Sequence, residues 1–283
     1  MESAILPLDI IILILEELRE EVAALKSCST VCREWSAISR LILFRTLYLT
    51  ARRTSARSFG LALQTTADKA LEAHLHEFME FLDGAPGIRS LIRTFVLRTD
   101  NAYHPCAVHL EAVVALLVKL PVLHTVTITG VYPIAITPDP QPVCTSVRTL
   151  ELRDMTWALA DPNYISKFLA HLPNVADVRV FSCAVPFAYR NAPLPHPAAP
   201  NTRLESLSIV RSRPLAQWLY LHENTLRSLR SIHISSVGFR HTLEDFRALE
   251  RVLECAGESL QHLHLGFGDI LEDATLSGRC MPA

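Results

Sequence analysis

The sequence predicts an α/β chain of two unequal parts, a short all-helical segment followed by a long, irregular array of strand–helix units. Three observations carry that reading. Apolar residues at helical spacing crowd residues 6–49, more than so small a segment can bury within itself. A six-residue pattern φ-x-x-φ-x-φ, where φ is apolar, recurs seven times between residues 92 and 265. Helical stripes lie between several of those recurrences. With 49% hydrophobic residues, 20% charged residues and 43 leucines in 283 positions, the chain can build a sizeable core, which excludes wholesale disorder.

The N-terminal segment runs Leu6-Pro7-Leu8-Asp9-Ile10-Ile11-Ile12-Leu13-Ile14-Leu15-Glu16-Glu17-Leu18. Pro7 suits a first helical turn, where its missing N–H would have no partner anyway. Ile11, Ile14, Leu15 and Leu18 form one stripe, but Ile10, Ile12 and Leu13 make the helix apolar nearly all round. Leu25, Cys28, Cys32 and Trp35 follow at spacings of three and four, with Ser29 or Thr30 placed to cap a break between helices. A third apolar cluster, residues 41–49, closes the segment. Three short helices cannot hide this surface among themselves. The excess packs either on the rest of the chain, as an N-terminal cap, or on another protein.

The same residues carry a resemblance. Leu6-Pro7-x-Asp9-Ile10-Ile11 with Ile14-Leu15-x-x-Leu18 resembles the start of an F-box. Leu25-x-x-Cys28-x-x-Val31-Cys32-Arg33-x-Trp35-x-x-Ile38, followed by Leu43-Phe44-x-x-Leu47, resembles its remainder. Asp9 replaces the usual Glu and keeps the charge. Order and spacing match along residues 5–49, and Val31-Cys32-Arg33-x-Trp35 is the most specific part. The resemblance implies docking on the Skp-type adaptor of a cullin–RING ubiquitin ligase. The family's docking positions fall on Leu6, Pro7, Ile10, Ile11, Ile14, Leu15 and Val31, while Trp35 would hold the module together from inside.

After a helical connection over residues 51–84, with a stripe at Leu71, Leu75, Phe78 and Leu82, the repeats begin. Their last two apolar members are Phe95/Leu97, Val126/Ile128, Leu150/Leu152, Val178/Val180, Leu207/Ile209, Ile232/Ile234 and Leu263/Leu265. Each pair, with its alternation, predicts a half-buried strand. Helical stripes follow at Val113/Leu116/Leu117/Leu120, Ile165/Phe168/Leu169/Leu172, Leu215/Trp218/Leu219 and Phe246/Leu249/Leu253. Two of the helices end in Leu-Pro, at 120–121 and 172–173, a natural stop. Strand plus helix at a mean step of about 28 residues is the signature of a leucine-rich-repeat solenoid, and residues 85–268 resemble the divergent repeats that commonly follow an F-box. The ninth repeat position, where that family favours Asn or Cys, holds Asp100, Val131, Met155, Cys183, Ser212, Val237 and Gly268. A non-repeat α/β domain of alternating strands and helices is the other architecture this pattern allows.

Two proline-rich stretches, 131–143 and 185–200, interrupt the array and read as extended loops, either tolerated insertions or binding loops on the rim. Residues 269–283 form a tail without a polar capping repeat, which points to a poorly capped or truncated array. Positions flanking the apolar strand members line the open face of the sheet. From that row Arg98, Glu151, Arg153, Arg179, Phe181, His233 and His264 are the candidate substrate-binding residues. Such a mixed polar surface suits recognition of a protein or peptide. His233, His262 and His264 are the one group at which zinc enters consideration. Solvated surface histidines are the preferred reading, with a pH-sensitive patch between the two, and no metal or cofactor is expected.

Several functions are excluded by what the chain lacks. It has 9 glycines and none of the glycine-rich phosphate loops or the nucleophile elbow. A formal charge of −2 from 27 basic and 29 acidic residues gives no overall basic excess for nucleic acid. Arg52, Arg53 and Arg57 are the local basic cluster, read as a solvated interdomain face. Seven scattered cysteines without a C-x2-C pair point to a reducing, intracellular setting, cytoplasm or nucleus. Neither a secretory signal nor a membrane span is predicted. The expected protein is a non-catalytic substrate receptor, with residues 1–50 on a Skp-type adaptor and the repeats holding a protein substrate. Two rivals stand beside it: an interaction scaffold whose N-terminal helices merely cap the array, and an unrecognised hydrolase or transferase, disfavoured because no nucleophile–base arrangement stands out.

Overall fold

The computed structural model describes residues 6–51, 61–99, 106–134, 143–155, 164–183, 203–212, 219, 223–235 and 243–266. The chain opens with three short helices, α1 (Leu8–Glu17), α2 (Val22–Cys28) and α3 (Arg33–Leu43). Pro7 is the N-cap of α1, and its carbonyl accepts from Ile10 N–H at 3.1 Å and Ile11 N–H at 3.2 Å. Ile11, Leu15 and Leu25 form the buried centre of this module, and Leu18, Cys28, Trp35, Ile38, Ile42 and Leu43 pack around them. That centre is separate from the main core.

Strands β1 (Thr46–Ala51), β2 (Thr94–Thr99), β4 (Thr125–Thr129), β6 (Thr149–Arg153), β7 (Asp177–Phe181), β8 (Ser206–Val210), β9 (Ser231–Ser235) and β10 (His262–Gly266) form one sheet in that order. Every pairing is parallel. The sheet grows in one direction without reversal. Short strands β3 (Cys106–His109) and β5 (Val131–Ile134) pair in a second, two-stranded parallel sheet. The helices are α4 (Leu61–Gly84), α5 (Pro86–Arg89), α6 (Leu110–Val118), α7 (Tyr164–Ala170), α8 (Glu223–Leu226) and α9 (Leu243–Ala256).

All seven predicted strands are present, and the apolar members of the first six are buried. Leu263 and Leu265 of β10 are 48% and 37% exposed, because no further strand pairs with β10 among the described residues. The eighth strand, β1, lies inside the segment expected to be wholly helical. Its Phe44-x-x-Leu47-x-Leu49 repeats the strand pattern, and it carries the sheet back to Thr46. The predicted stripe on α9 is rotated: Leu249, Val252 and Ala256 are buried, whereas Phe246 is exposed. In α6 the apolar residues Leu110, Val113, Val114, Leu116 and Leu117 are all buried behind the sheet. Arg52, Arg53 and Arg57, residues 135–142 and 185–200, Leu215, Trp218 and the tail lie outside the described residues. So do the ninth positions Asp100, Val237 and Gly268.

Successive strands begin in the same way, and β4, β6, β7 and β8 also end in the same way. The carbonyl just before one strand accepts the two N–H groups that open the next. Arg45 O takes Arg93 and Thr94 at 2.9 and 3.0 Å, Arg93 O takes His124 and Thr125, and the pattern continues through Arg230 O with Gln261 and His262. At the other end, Gly130, Asp154, Ser182 and Arg211 hold φ of 65°, 48°, 52° and 52°. Their N–H groups reach carbonyls of the following strand, at Arg153, Phe181, Val210 and Ser235, over 2.7 to 2.9 Å. This left-handed residue turns the chain inward. The ninth position follows it, and Val131, Met155, Cys183 and Ser212 there are buried. Ser212 Oγ accepts from Cys183 N–H at 3.1 Å and donates to Val210 O at 3.0 Å. Polar side chains are thus tolerated in this buried row only where they find a backbone partner.

Two outcomes follow. A Cβ at Gly130 would sit 2.5 Å from Thr99 Oγ1 at a φ that L-residues disfavour, so Gly130→Ala costs about 1–3 kcal/mol in urea unfolding. Gly87→Ala, with nothing within 4 Å, serves as the control. Burial pushes the Cys183 thiol up to about 12, whereas an unfolded thiol ionises near about 8.5. Its contribution to stability is therefore complete below the unfolded value and is lost as pH rises toward the folded one. At mildly alkaline pH a thiol reagent modifies exposed Cys32 in the native protein and reaches buried Cys183 only after denaturation.

Candidate functional site

Two surfaces stand out. On the helical module, α1 turns only Ile11 and Leu15 inward; Leu8, Ile10, Ile12, Leu13 and Ile14 are exposed, Leu13 by 63%. Residues one helical turn apart share a face. Ile10 and Ile14 therefore stand on one flank and Leu8 and Ile12 on the other, with Leu13 opposite the core. Of the seven predicted docking residues, Leu6, Pro7, Ile10, Ile14 and Val31 are exposed, Val31 by 64%. Ile11 and Leu15 are not available for contact, because they fill the centre of the module. Trp35 packs against that centre, in the role expected of it. Leu8, Ile12 and Leu13 were not among the docking residues expected from the sequence. A helix apolar on every side has more greasy positions than one small core can cover, and that was the signal for them.

The module abuts the first strand through the Arg45–Glu16 ion pair at 3.3 Å. A cleft of about 440 Å³ lies beside it, bordered by Arg19, Val22, Ile42 and Tyr48. At the start of α3 the Cys32 thiol donates to Glu34 Oε2 at 3.1 Å. That bond holds the Glu34 carboxyl below its ordinary range.

The second surface is the open face of the large sheet, where the register sets three rows across all eight strands. The first row runs Thr46, Thr94, Thr125, Thr149, Asp177, Ser206, Ser231, His262. Its first four members form a threonine ladder on consecutive strands, spaced about 4.8 Å apart. The second row holds Tyr48, Val96, Thr127, Glu151, Arg179, Ser208, His233 and His264, and the third includes Thr50, Arg98, Thr129, Arg153 and Phe181. All seven predicted substrate-binding residues therefore lie on one face, in two adjacent rows.

Side-chain contacts organise that face. Glu151 accepts from Arg153 Nε at 2.7 Å, and Arg153 stacks 4.7 Å over the Phe181 ring. Arg179 Nε donates to Asp177 Oδ2 at 2.8 Å. Arg98 donates to Thr50 Oγ1 at 3.2 Å and lies 5.5 Å over Tyr48. The His233 and His264 rings stack at 4.4 Å with planes 4° apart, as the predicted strand neighbourhood requires. Among the described residues no group of His, Cys, Asp or Glu is arranged to hold a metal ion, and no helix is long and apolar enough to cross a membrane. Thr46, Tyr48 and Thr50 are face residues that sequence reasoning missed, because β1 was assigned to the helical module.

No protein-family model matches the chain, and no curated protein matches it significantly. The inside–outside split on α1 gives a direct expectation. Leu15→Ala removes a fully buried side chain and destabilises the module by about 2–5 kcal/mol, whereas Ile14→Ala changes stability by less than about 1 kcal/mol. Limited proteolysis around residues 18–32 reads the difference: the Leu15 variant is cut faster and the Ile14 variant is not.

Proposed function

We propose that the protein is a non-catalytic substrate receptor of an SCF-type ubiquitin ligase, with an F-box-like N-terminal module and a leucine-rich-repeat-like array. The observation that carries the reading is the exposed apolar surface of α1. A ten-residue helix that buries two of its seven apolar side chains is costly in water, and a partner's groove is the ordinary way to cover such a surface. The resemblance of residues 5–49 to an F-box names that partner as a Skp-type adaptor. Leu6, Pro7, Ile10, Ile14 and Val31 are the contacts retained for it, with Leu13 added. The array would then present its open face to a protein substrate. The receptor forms and breaks no bond of its own, because it acts by raising the local concentration of substrate near the ligase.

The rival, an interaction scaffold with the helices as a cap, draws support from the Glu16–Arg45 pair that ties α1 to the start of the sheet. Co-purification separates the two. The intact chain is expected to retain a Skp-type adaptor, and an Ile10→Asp/Ile14→Asp variant loses at least about tenfold in affinity, since two charges would be buried in an apolar contact. Leu243→Ser, on an exposed apolar residue of α9, leaves binding unchanged. An intact chain that fails to bind the adaptor overturns the proposal in favour of the scaffold.

A further inference from the structure

We propose that the first four strands of the large sheet, β1, β2, β4 and β6, form a cationic strip that seats an extended, carboxylate-rich segment of a protein partner. The proposal rests on the reading of the array as the part that captures a partner, and it is independent of adaptor docking.

The repeat itself builds the strip. The residue just before each of these strands is Arg45, Arg93, His124 and Arg148, all exposed. They sit in register, because each backbone carbonyl there receives the opening N–H groups of the next strand. The threonine ladder runs directly beside them, and Arg98 and Arg153 stand two rows further along the same strands. Acidic groups are scarce in this half. Glu151 is the only carboxylate in its exposed rows and already engages Arg153. Arg45 is held by Glu16. Among the described residues no carboxylate pairs with Arg93, Arg98 or Arg148. The sign changes in the next two strands, where Ala176-Asp177 and Glu205-Ser206 occupy the equivalent positions. A chain of net charge −2 thus lines up exposed basic residues along the strand-start edge of this half of the sheet, with Arg98 and Arg153 on its open face.

Charge complementarity names the occupant. Guanidinium groups take carboxylates through paired N–H donors, as Arg153 and Arg179 already do on this face. Threonine hydroxyls in a row supply hydrogen bonds to an extended backbone lying beside those ions. Guanidinium groups also take phosphate, so a phosphopeptide and an oligonucleotide are competing outcomes of the test.

The test uses the full chain without adaptor and a fluorescein-labelled peptide of alternating Glu and Ser, followed by anisotropy. Binding is expected, weaker as salt is raised, and absent for an alternating Lys–Ser peptide. Arg93→Glu/Arg148→Glu is expected to lower affinity at least about tenfold, and Arg98→Glu alone by a smaller factor. All these side chains are exposed, so thermal unfolding as in the native chain shows each variant to be folded. Arg227→Glu, on exposed α8–β9 surface, leaves affinity unchanged. No binding of the Glu–Ser peptide overturns the proposal. So does equal affinity in the Arg93/Arg148 variant, or tighter binding of a phosphoserine peptide or an oligonucleotide than of the carboxylate peptide. Adaptor binding is scored separately, so either reading can fail alone.

Discussion

The structure depends on parallel pairing of each strand with its successor, locked by the backbone at every start and, after β4, β6, β7 and β8, at the finish too. At the start, one carbonyl receives two N–H groups from the next strand; at the finish, a left-handed residue sends its own N–H across. Parallel pairs are joined only through crossovers, so every strand must be followed by a covering segment before the next can form. The side-chain period of a strand is two, and a one-residue slip would exchange the apolar and polar faces. The repeated lock excludes that slip. It places Phe95, Val126, Leu150, Val178, Leu207 and Ile232 in one buried row and leaves the opposite face as a continuous, in-register surface.

In such an architecture the register aligns side chains that are far apart in sequence. A residue type repeated at one position of several coils becomes a strip, as with the threonine ladder and the Arg/His residues before it. A single coil would offer an arginine next to a threonine, which is unremarkable on any protein surface. Four consecutive strands repeat such a basic–threonine pair in a continuous line across the sheet. The helical module works on another principle. Its small centre takes only what three short helices can enclose, and the apolar surplus on α1 remains outside. The two surfaces are therefore separate in position and in chemistry, one apolar, the other polar and charged.

Much of this was legible from residue order. The φ-x-x-φ-x-φ pattern located seven strands because burial on one side of a sheet imposes its own period. The helix stripes at Val113/Leu116/Leu117/Leu120 and Phe168/Leu169/Leu172 were legible for the same reason, and so was the neighbourhood of His233 and His264. The turn geometry was not legible. Asp154, Ser182 and Arg211 are ordinary residues in a left-handed conformation imposed by the hydrogen bonds around them, and only Gly130 announced it. Strand β1 was missed because its pattern overlaps the apolar end of the helical module. Phe246 was misplaced by the same kind of overlap, since two helical stripes run along α9 and only packing chose Leu249, Val252 and Ala256.

The sequence by itself determined the alternation of strands and helices, the one-directional repeat and the excess of apolar surface at the N-terminus, because these follow from local spacing and composition. Tertiary structure decided which apolar residues of α1 face inward, since Ile11 and Ile14 are indistinguishable until α2 and α3 are in place. It also decided where basic residues line up along the strand-start edge of the sheet. Arg45, Arg93, His124 and Arg148 are far apart along a chain of slightly negative net charge, and they become neighbours only when parallel pairing brings successive coils to a strand's width of one another.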